Sequence, residues 1–131
     1  MVIQTTLDRG EGLVRGDIIS IRRTVNNIPV GDSISKAYLF VKAAYGDADG
    51  AAIFSKTVTT SNVAGTGQVE DDGTTDLSGR IRFDLTNANT TAVTADTPYY
   101  YDIQILTTLG SVYTLEIGKA TWMAQVTQTV A

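Results

Sequence analysis

Several short stretches carry residue types that could do chemistry. Asp47-Ala48-Asp49-Gly50 imitates the start of a calcium loop, where spaced carboxylates take a cation. A complete loop needs a bidentate Glu at its twelfth position and flanking helices; that position is Val58, so a hairpin turn is the better reading. Glu70-Asp71-Asp72-Gly73 gathers three carboxylates, which suits a weakly held cation or a solvated loop. Arg15-Gly16-Asp17 spells an adhesion tripeptide, yet it runs straight into a strand instead of crowning a loop. Asn89-Thr90-Thr91 spells a glycosylation acceptor. Gly118-Lys119 lacks both the earlier glycine and the following Ser/Thr of a phosphate loop. The pairs Asp71/Asp72 and Asp76/Asp84 offer carboxylates, but nothing sets two of them across a cleft as glycoside hydrolysis requires.

The rest of the composition narrows the chemistry further. The 131 residues include no His and no Cys. That removes the commonest general base, the serine–histidine triad, thiolate catalysis, disulfides and the usual transition-metal ligands. No catalytic residue, cofactor or metal is therefore expected. The net charge is −4, a sign that disfavours nucleic acid and anionic membranes as partners. It is uneven: residues 1–45 carry six Lys/Arg against four Asp/Glu, and residues 46–102 carry three against nine. No apolar run approaches a membrane span, and Met1–Gly10 has no apolar core of a signal peptide.

The elements that must position these groups are strands. Thr (20), Val (12) and Ile (11) make up about a third of the chain, and β-branched side chains favour pleated surfaces over helices. Strands are predicted over Val2–Thr6, Asp17–Val25, Ser35–Ala44, Ile53–Thr60, Gln68–Asp71, Arg80–Leu85, Tyr99–Leu106, Ser111–Ile117 and Lys119–Val126. In Ser35–Ala44, Ala37, Leu39, Val41 and Ala43 point one way and Lys36, Tyr38, Phe40 and Lys42 the other. Neither side is purely polar, which predicts a central strand whose second face is partly covered. Asp49-Gly50 and Leu109-Gly110 should turn hairpins, and Gly118 should break the last strand. One helical turn is expected near residues 88–93, capped by Thr86 or Asn87. The expected core is Ile21, Leu39, Val41, Phe83, Leu85, Tyr101, Ile103, Ile105 and Trp122.

Seven to nine short strands without a long helix predict an all-β, antiparallel, immunoglobulin-like β-sandwich. Residues 16–131 would form this single domain, with residues 1–15 as an N-terminal arm or edge strand. Tyr99 or Tyr101 would supply the tyrosine corner of such folds, or both are ordinary strand residues.

Three stretches also carry a resemblance. They are Gly16-Asp17-Ile18-Ile19-Ser20 with Arg22-Arg23-Thr24-Val25; Ser35-Lys36-Ala37-Tyr38-Leu39-Phe40-Val41-Lys42; and Arg82-Phe83-Asp84-Leu85-Thr86 leading to Tyr99-Tyr100-Tyr101-Asp102-Ile103-Gln104-Ile105 and Gly110-Ser111-Val112-Tyr113-Thr114. In this order they resemble the small immunoglobulin-like structural proteins of tailed bacteriophages, and are similar to the N-terminal domain of phage upper baseplate proteins. The resemblance implies a virion part without catalysis, located in the virion after assembly in the host cytoplasm. A lone domain without an attached enzyme or receptor-binding unit points to a capsid decoration or cement protein on the major capsid protein shell. The alternatives are a baseplate, tail or head–tail component, or a host-surface or carbohydrate-binding adhesin module.

Partners are thus expected to be other virion proteins, with self-association into a homo-oligomer. The candidate interface residues lie mostly at the chain ends. Val2, Ile3, Leu7 and Leu13 make the first stretch too apolar for a free tail, and Val126 and Val130 sit in an uncharged, β-prone last stretch. Such segments can add a strand to a neighbour's open sheet edge, or else complete the protein's own sandwich. Arg22 and Arg23 are adjacent on a strand and must face opposite sides; the outward one is the candidate ion-pair donor to a partner.

Overall fold

The computed structural model describes residues 3–7, 13–75 and 77–124. Eight strands are described: β1 (Ile3–Leu7), β2 (Ile19–Val25), β3 (Ile34–Lys42), β4 (Phe54–Thr59), β5 (Gly67–Asp71), β6 (Gly79–Leu85), β7 (Pro98–Thr107) and β8 (Val112–Thr121). They form two sheets, β1-β8-β7-β3-β4 and β2-β6-β5. All pairings are antiparallel except β1 with β8. In immunoglobulin lettering the small sheet is B-E-D and the large one G-F-C with an added C′, so the chain is an all-β immunoglobulin-like sandwich. No described helix is long and apolar enough to cross a membrane.

Period-two alternation determines which side chains meet between the sheets. β3 buries Ala37, Leu39 and Val41, β6 buries Ile81, Phe83 and Leu85, and β7 buries Tyr99, Tyr101, Ile103 and Ile105. All nine expected core residues are 3% exposed or less. Trp122 closes one end, meeting the rings of Phe54 and Tyr99 edge-on at 6.0 and 6.2 Å. The second face of β3 is half-buried, as its mixed composition predicts.

The helical turn is α1 (Asn87–Thr91), earlier by a residue or two than expected. Thr86 is its cap, and Asn89 completes a reciprocal capping box by accepting from the Thr86 backbone N–H at 2.9 Å. Just beyond it, the Tyr99 hydroxyl accepts from the Thr94 backbone N–H at 2.7 Å, so Tyr99 and not Tyr101 forms the tyrosine corner.

Three local expectations fail. Ala43 does not share the buried face of β3, which ends at Lys42, and is exposed. Asp49-Gly50 does not form a tight hairpin turn but opens a single 3-10 turn, Asp49–Ala51, inside the longer β3–β4 connection. Gly118 does not end a strand: β8 runs through it, pairing Gly118 with Tyr101 on one side and Thr5 on the other. A glycine weakens a strand interior, but ladders on both edges hold its backbone extended.

Candidate interaction surfaces

The groups that could do chemistry are mostly spoken for within the fold. Lys42 Nζ donates to the Asp47 carbonyl at 2.9 Å and to Asp49 Oδ1 at 2.8 Å, so an ammonium group already neutralises the loop resembling a calcium site. Glu70 receives Arg82 at 3.0 Å, and the same guanidinium contacts Asp84 at 3.1 Å. Asp71 and Asp72 accept from the backbone N–H groups of Gly73 and Thr74 at 2.9 and 3.0 Å. The hydrogen bonds from Thr74 hold the Asp72 carboxyl below its ordinary range. Among the described residues no three acidic groups converge as a metal site. Asp76 lies outside the described residues.

The remaining motifs are equally engaged. Arg15-Gly16-Asp17 sits in a tight turn, with the Asp17 N–H donating to the Val14 carbonyl at 3.1 Å. The turn needs the positive φ of Gly16, +90°. Arg15 is tied down by the carbonyls of Val93 and Thr91 at 2.8 and 3.1 Å, where α1 ends. The Asn89 side chain of the glycosylation spelling is the capping-box residue.

The candidate interface residues separate into distinct roles. Val2, Val126 and Val130 lie outside the described residues. Ile3 and Leu7 bound β1, whose backbone pairs with Glu116–Ala120 of the chain's own sheet. Leu13 is a correction: it is wholly buried in the core, because Leu13 and Arg15 bracket Met123 through backbone hydrogen bonds of 2.9 and 2.8 Å. Removing residues 1–13 would therefore damage the core as well as any interface. Arg23 is a second correction, since it faces inward. Its Nε donates to Glu116 Oε1 at 2.8 Å and its Nη2 to Oε2 at 3.2 Å, and Glu116 also accepts from the Tyr101 hydroxyl. Arg23 is 22% exposed and Glu116 8%, so this network ties β2 to β7 and β8 from within. Arg22 points outward at 64% exposure, 3.8 Å from Glu70.

Two surfaces not named from the sequence carry unusual character. The first is the outer face of the five-stranded sheet. Tyr38, Phe40 and Lys42 of β3 lie beside Gln104, Asp102 and Tyr100 of β7 in cross-strand register. Tyr45, from the following loop, packs on Tyr100 at 4.7 Å with a 41° tilt. Lys119 stands 5.8 Å from the Tyr100 ring and Lys42 5.6 Å from Phe40. A cleft of about 40 Å³ among them includes Asp102. One carboxylate oxygen of Asp102 is buried without a hydrogen-bond donor; the other accepts from Gln104 at 3.3 Å. Burial pushes this carboxyl above its ordinary range, with Asp49 adding to the effect and Lys42 opposing it. The alternation of β3 signalled this face, but only cross-strand register unites it with Asp102.

The second surface lies at one end of the sandwich. The Asp32 carboxylate accepts from Ser33 N at 2.8 Å, Thr108 Oγ1 at 3.1 Å and Leu109 N at 3.2 Å, joining the β2–β3 loop to the β7–β8 hairpin. Burial would raise that carboxyl, yet donors including Thr107 and Ser33 outweigh burial and lower it. The joined loops expose Val30, Leu109, Val112 and Tyr113. They continue into a groove of about 250 Å³ whose floor includes Val25, Ile28, Ile105 and Leu115. Hairpin and turn residues carry no alternation, so the sequence gives no sign that these apolar groups share one end.

No family model and no curated protein matches the sequence. Among solved structures, the chain is similar to Astrotactin-2, a conserved vertebrate-specific and perforin-like membrane protein involved in neuronal development, with TM-score 0.49 and 12% identity over 87% of this chain and 20% of that one. It is also similar to the periplasmic chaperone SfaE, with TM-score 0.36 and 11% identity over 96% of this chain and 57% of that one. The chain thus spans a fifth of the first and little more than half of the second, and neither is described as a virion component.

Proposed function

We propose that this chain is a non-enzymatic structural module of a bacteriophage virion, a capsid decoration or cement protein that binds the major capsid protein shell. The observation that carries the reading is the outer face of the five-stranded sheet. Its half-buried aromatic rings, flanking lysines and under-satisfied Asp102 form a flat, mixed surface suited to a protein neighbour. The resemblance to phage structural proteins supports it, because Lys36–Lys42 and Tyr99–Ile105 are the strands that build this face. The engagement of most carboxylates in ion pairs and turns supports a role without catalysis.

The test is rebinding. Purified protein is added to particles lacking it and co-sedimented. Cement occupies the shell, and the double variant Tyr45→Ala, Tyr100→Ala loses occupancy while keeping its fold. Attachment confined to the tail or baseplate selects the tail alternative. The adhesin is a second reading, because the same rings beside Asp102 and Gln104 also suit a sugar ring. Binding to host cells or glycans, with no particle binding, would replace the first reading with it.

A further inference from the structure

We propose that the outer face of the five-stranded sheet docks an acidic segment of a neighbouring virion protein, whose carboxylates pair with Lys36 and Lys119 and whose apolar groups cover the rings between them. This rests on the virion reading and deepens it, because it states what chemistry the neighbour must present. Both lysines are exposed. Lys36 lies on the side of β3 opposite the buried Ala37, Leu39 and Val41. Lys119 shares that face, because it pairs with Tyr100, and Tyr100 pairs with Lys42. Among the described residues neither ammonium group has a carboxylate within ion-pair distance. Lys42, the third cation of the face, is already held by Asp49. Asp102 is the only carboxylate that the described strands present there, and one of its oxygens is buried. The face thus offers free positive charge, although the chain carries −4 overall.

Charge decides what covers this face. Every described Asp and Glu already has a partner within its own chain, so a second copy has few carboxylates to give. A nucleic acid or an anionic bilayer would bring continuous negative charge against a chain that is itself net negative. A protein neighbour can place single carboxylates where the lysines stand. Lys36 and Lys42 are six residues apart on β3, about 20 Å along the strand, and Lys119 lies two strands over from Lys42, about 10 Å away. Lys36 and Lys119 therefore mark the ends of a diagonal of roughly 22 Å, which an extended segment spans with acidic residues about six or seven positions apart. Tyr38, Phe40 and Tyr100 lie half-buried between these ends. Apolar groups of the neighbour laid over those rings would exclude water from the flanking pairs.

Zero-length crosslinking reads such pairs directly. The full chain is bound to particles that lack it and treated with a water-soluble carbodiimide, which joins an amine to a carboxylate as an amide and itself takes up the water released. Mass spectrometry should find Lys36 and Lys119 joined to Asp or Glu of another virion protein. In co-sedimentation at low salt, Lys36→Glu and Lys119→Glu should each weaken binding by about tenfold or more, and high salt should weaken binding of the unmodified chain. Arg80→Glu makes the same charge change at an exposed position of the other sheet and should alter binding by less than about twofold. Circular dichroism should show all three variants folded. Crosslinks only from other lysines, or only between two copies of this chain, would overturn the proposal. So would lysine variants that bind as Arg80→Glu does, or DNA or anionic vesicles that bind the chain with the same lysine dependence. A folded, unmodified chain that binds no particle at all would overturn the virion reading itself, and this proposal with it.

Discussion

Arg23 and Glu116 are the most demanding test of how the two sheets are held. The guanidinium makes two charged hydrogen bonds to a carboxylate that is 8% exposed, and the Tyr101 hydroxyl supplies a third. Arg23→Ala leaves Glu116 buried without its counter-charge. Breaking a buried pair on one side costs about 3–5 kcal/mol. Arg23 retains 22% exposure, so water can reach the vacated site, and the low end, about 3 kcal/mol, is expected. With a urea m-value of about 1–3 kcal/mol/M, the unfolding midpoint should fall by roughly 1–3 M. The triple variant Arg23→Met, Glu116→Leu, Tyr101→Phe removes every member at similar volume. Apolar replacement of a whole buried network is often neutral or stabilising, so the triple should recover most of the loss. The assay is urea unfolding followed by Trp122 fluorescence, with the m-value monitored for constancy. The reasoning is refuted if Arg23→Ala costs under about 1 kcal/mol, the range of exposed pairs, or if the triple variant is the least stable of the set.

Phe83→Ala should cost about 3–5 kcal/mol, because Phe83 lies wholly buried opposite Ile21; melting within a degree or two of wild type would mean the strand faces the other way. Tyr99→Phe removes the acceptor for the Thr94 N–H and should cost about 0.5–1.5 kcal/mol in urea unfolding, since Thr94 is exposed and water can replace part of the bond. For Asp102, burial favours the protonated form, so the folded chain holds that proton more tightly than the unfolded chain. Its contribution to stability therefore falls as pH rises from the ordinary aspartate value of 3.8 through the raised folded value. Asp102→Asn should abolish this slope and gain on wild type toward neutral pH, and a difference profile flat from pH 3 to 7 would contradict it. EDTA should leave the melting temperature unchanged, because Lys42 already neutralises the Asp47–Gly50 loop; a clear drop on chelation of calcium-loaded protein would establish a metal site there.

Period two made the sandwich legible before any coordinates. Residues such as Ile81, Phe83 and Ile103 alternate with polar neighbours, and burying one face of a pleated strand requires that pattern whatever the topology. Leu109-Gly110 likewise marked its hairpin, because local backbone preference acts within a few residues, whereas Asp49-Gly50 lies in a 3-10 turn of the longer β3–β4 connection. Absence of His and Cys restricted the chemistry from composition alone. Adjacency in sequence could show that Arg22 and Arg23 face opposite ways, but not which faces inward. That choice belongs to Glu116, 93 residues away, whose carboxylate makes the interior tolerable for one guanidinium. Leu13 looked like part of an arm because its own segment is irregular, and it is core because Met123 bonds the backbone at Leu13 and Arg15, pinning this segment against the sandwich. Gly118 looked like a break because a strand's persistence there depends on pairing on both edges, with the hairpin neighbour β7 on one side and with β1, from the start of the chain, on the other. The outer aromatic face and the end groove arise in the same way. Cross-strand register sets Asp102 beside Phe40, and the Asp32 carboxylate brings Leu109 to Val30. Local sequence sets the conformation of each strand; pairing between distant strands determines which side chains become neighbours.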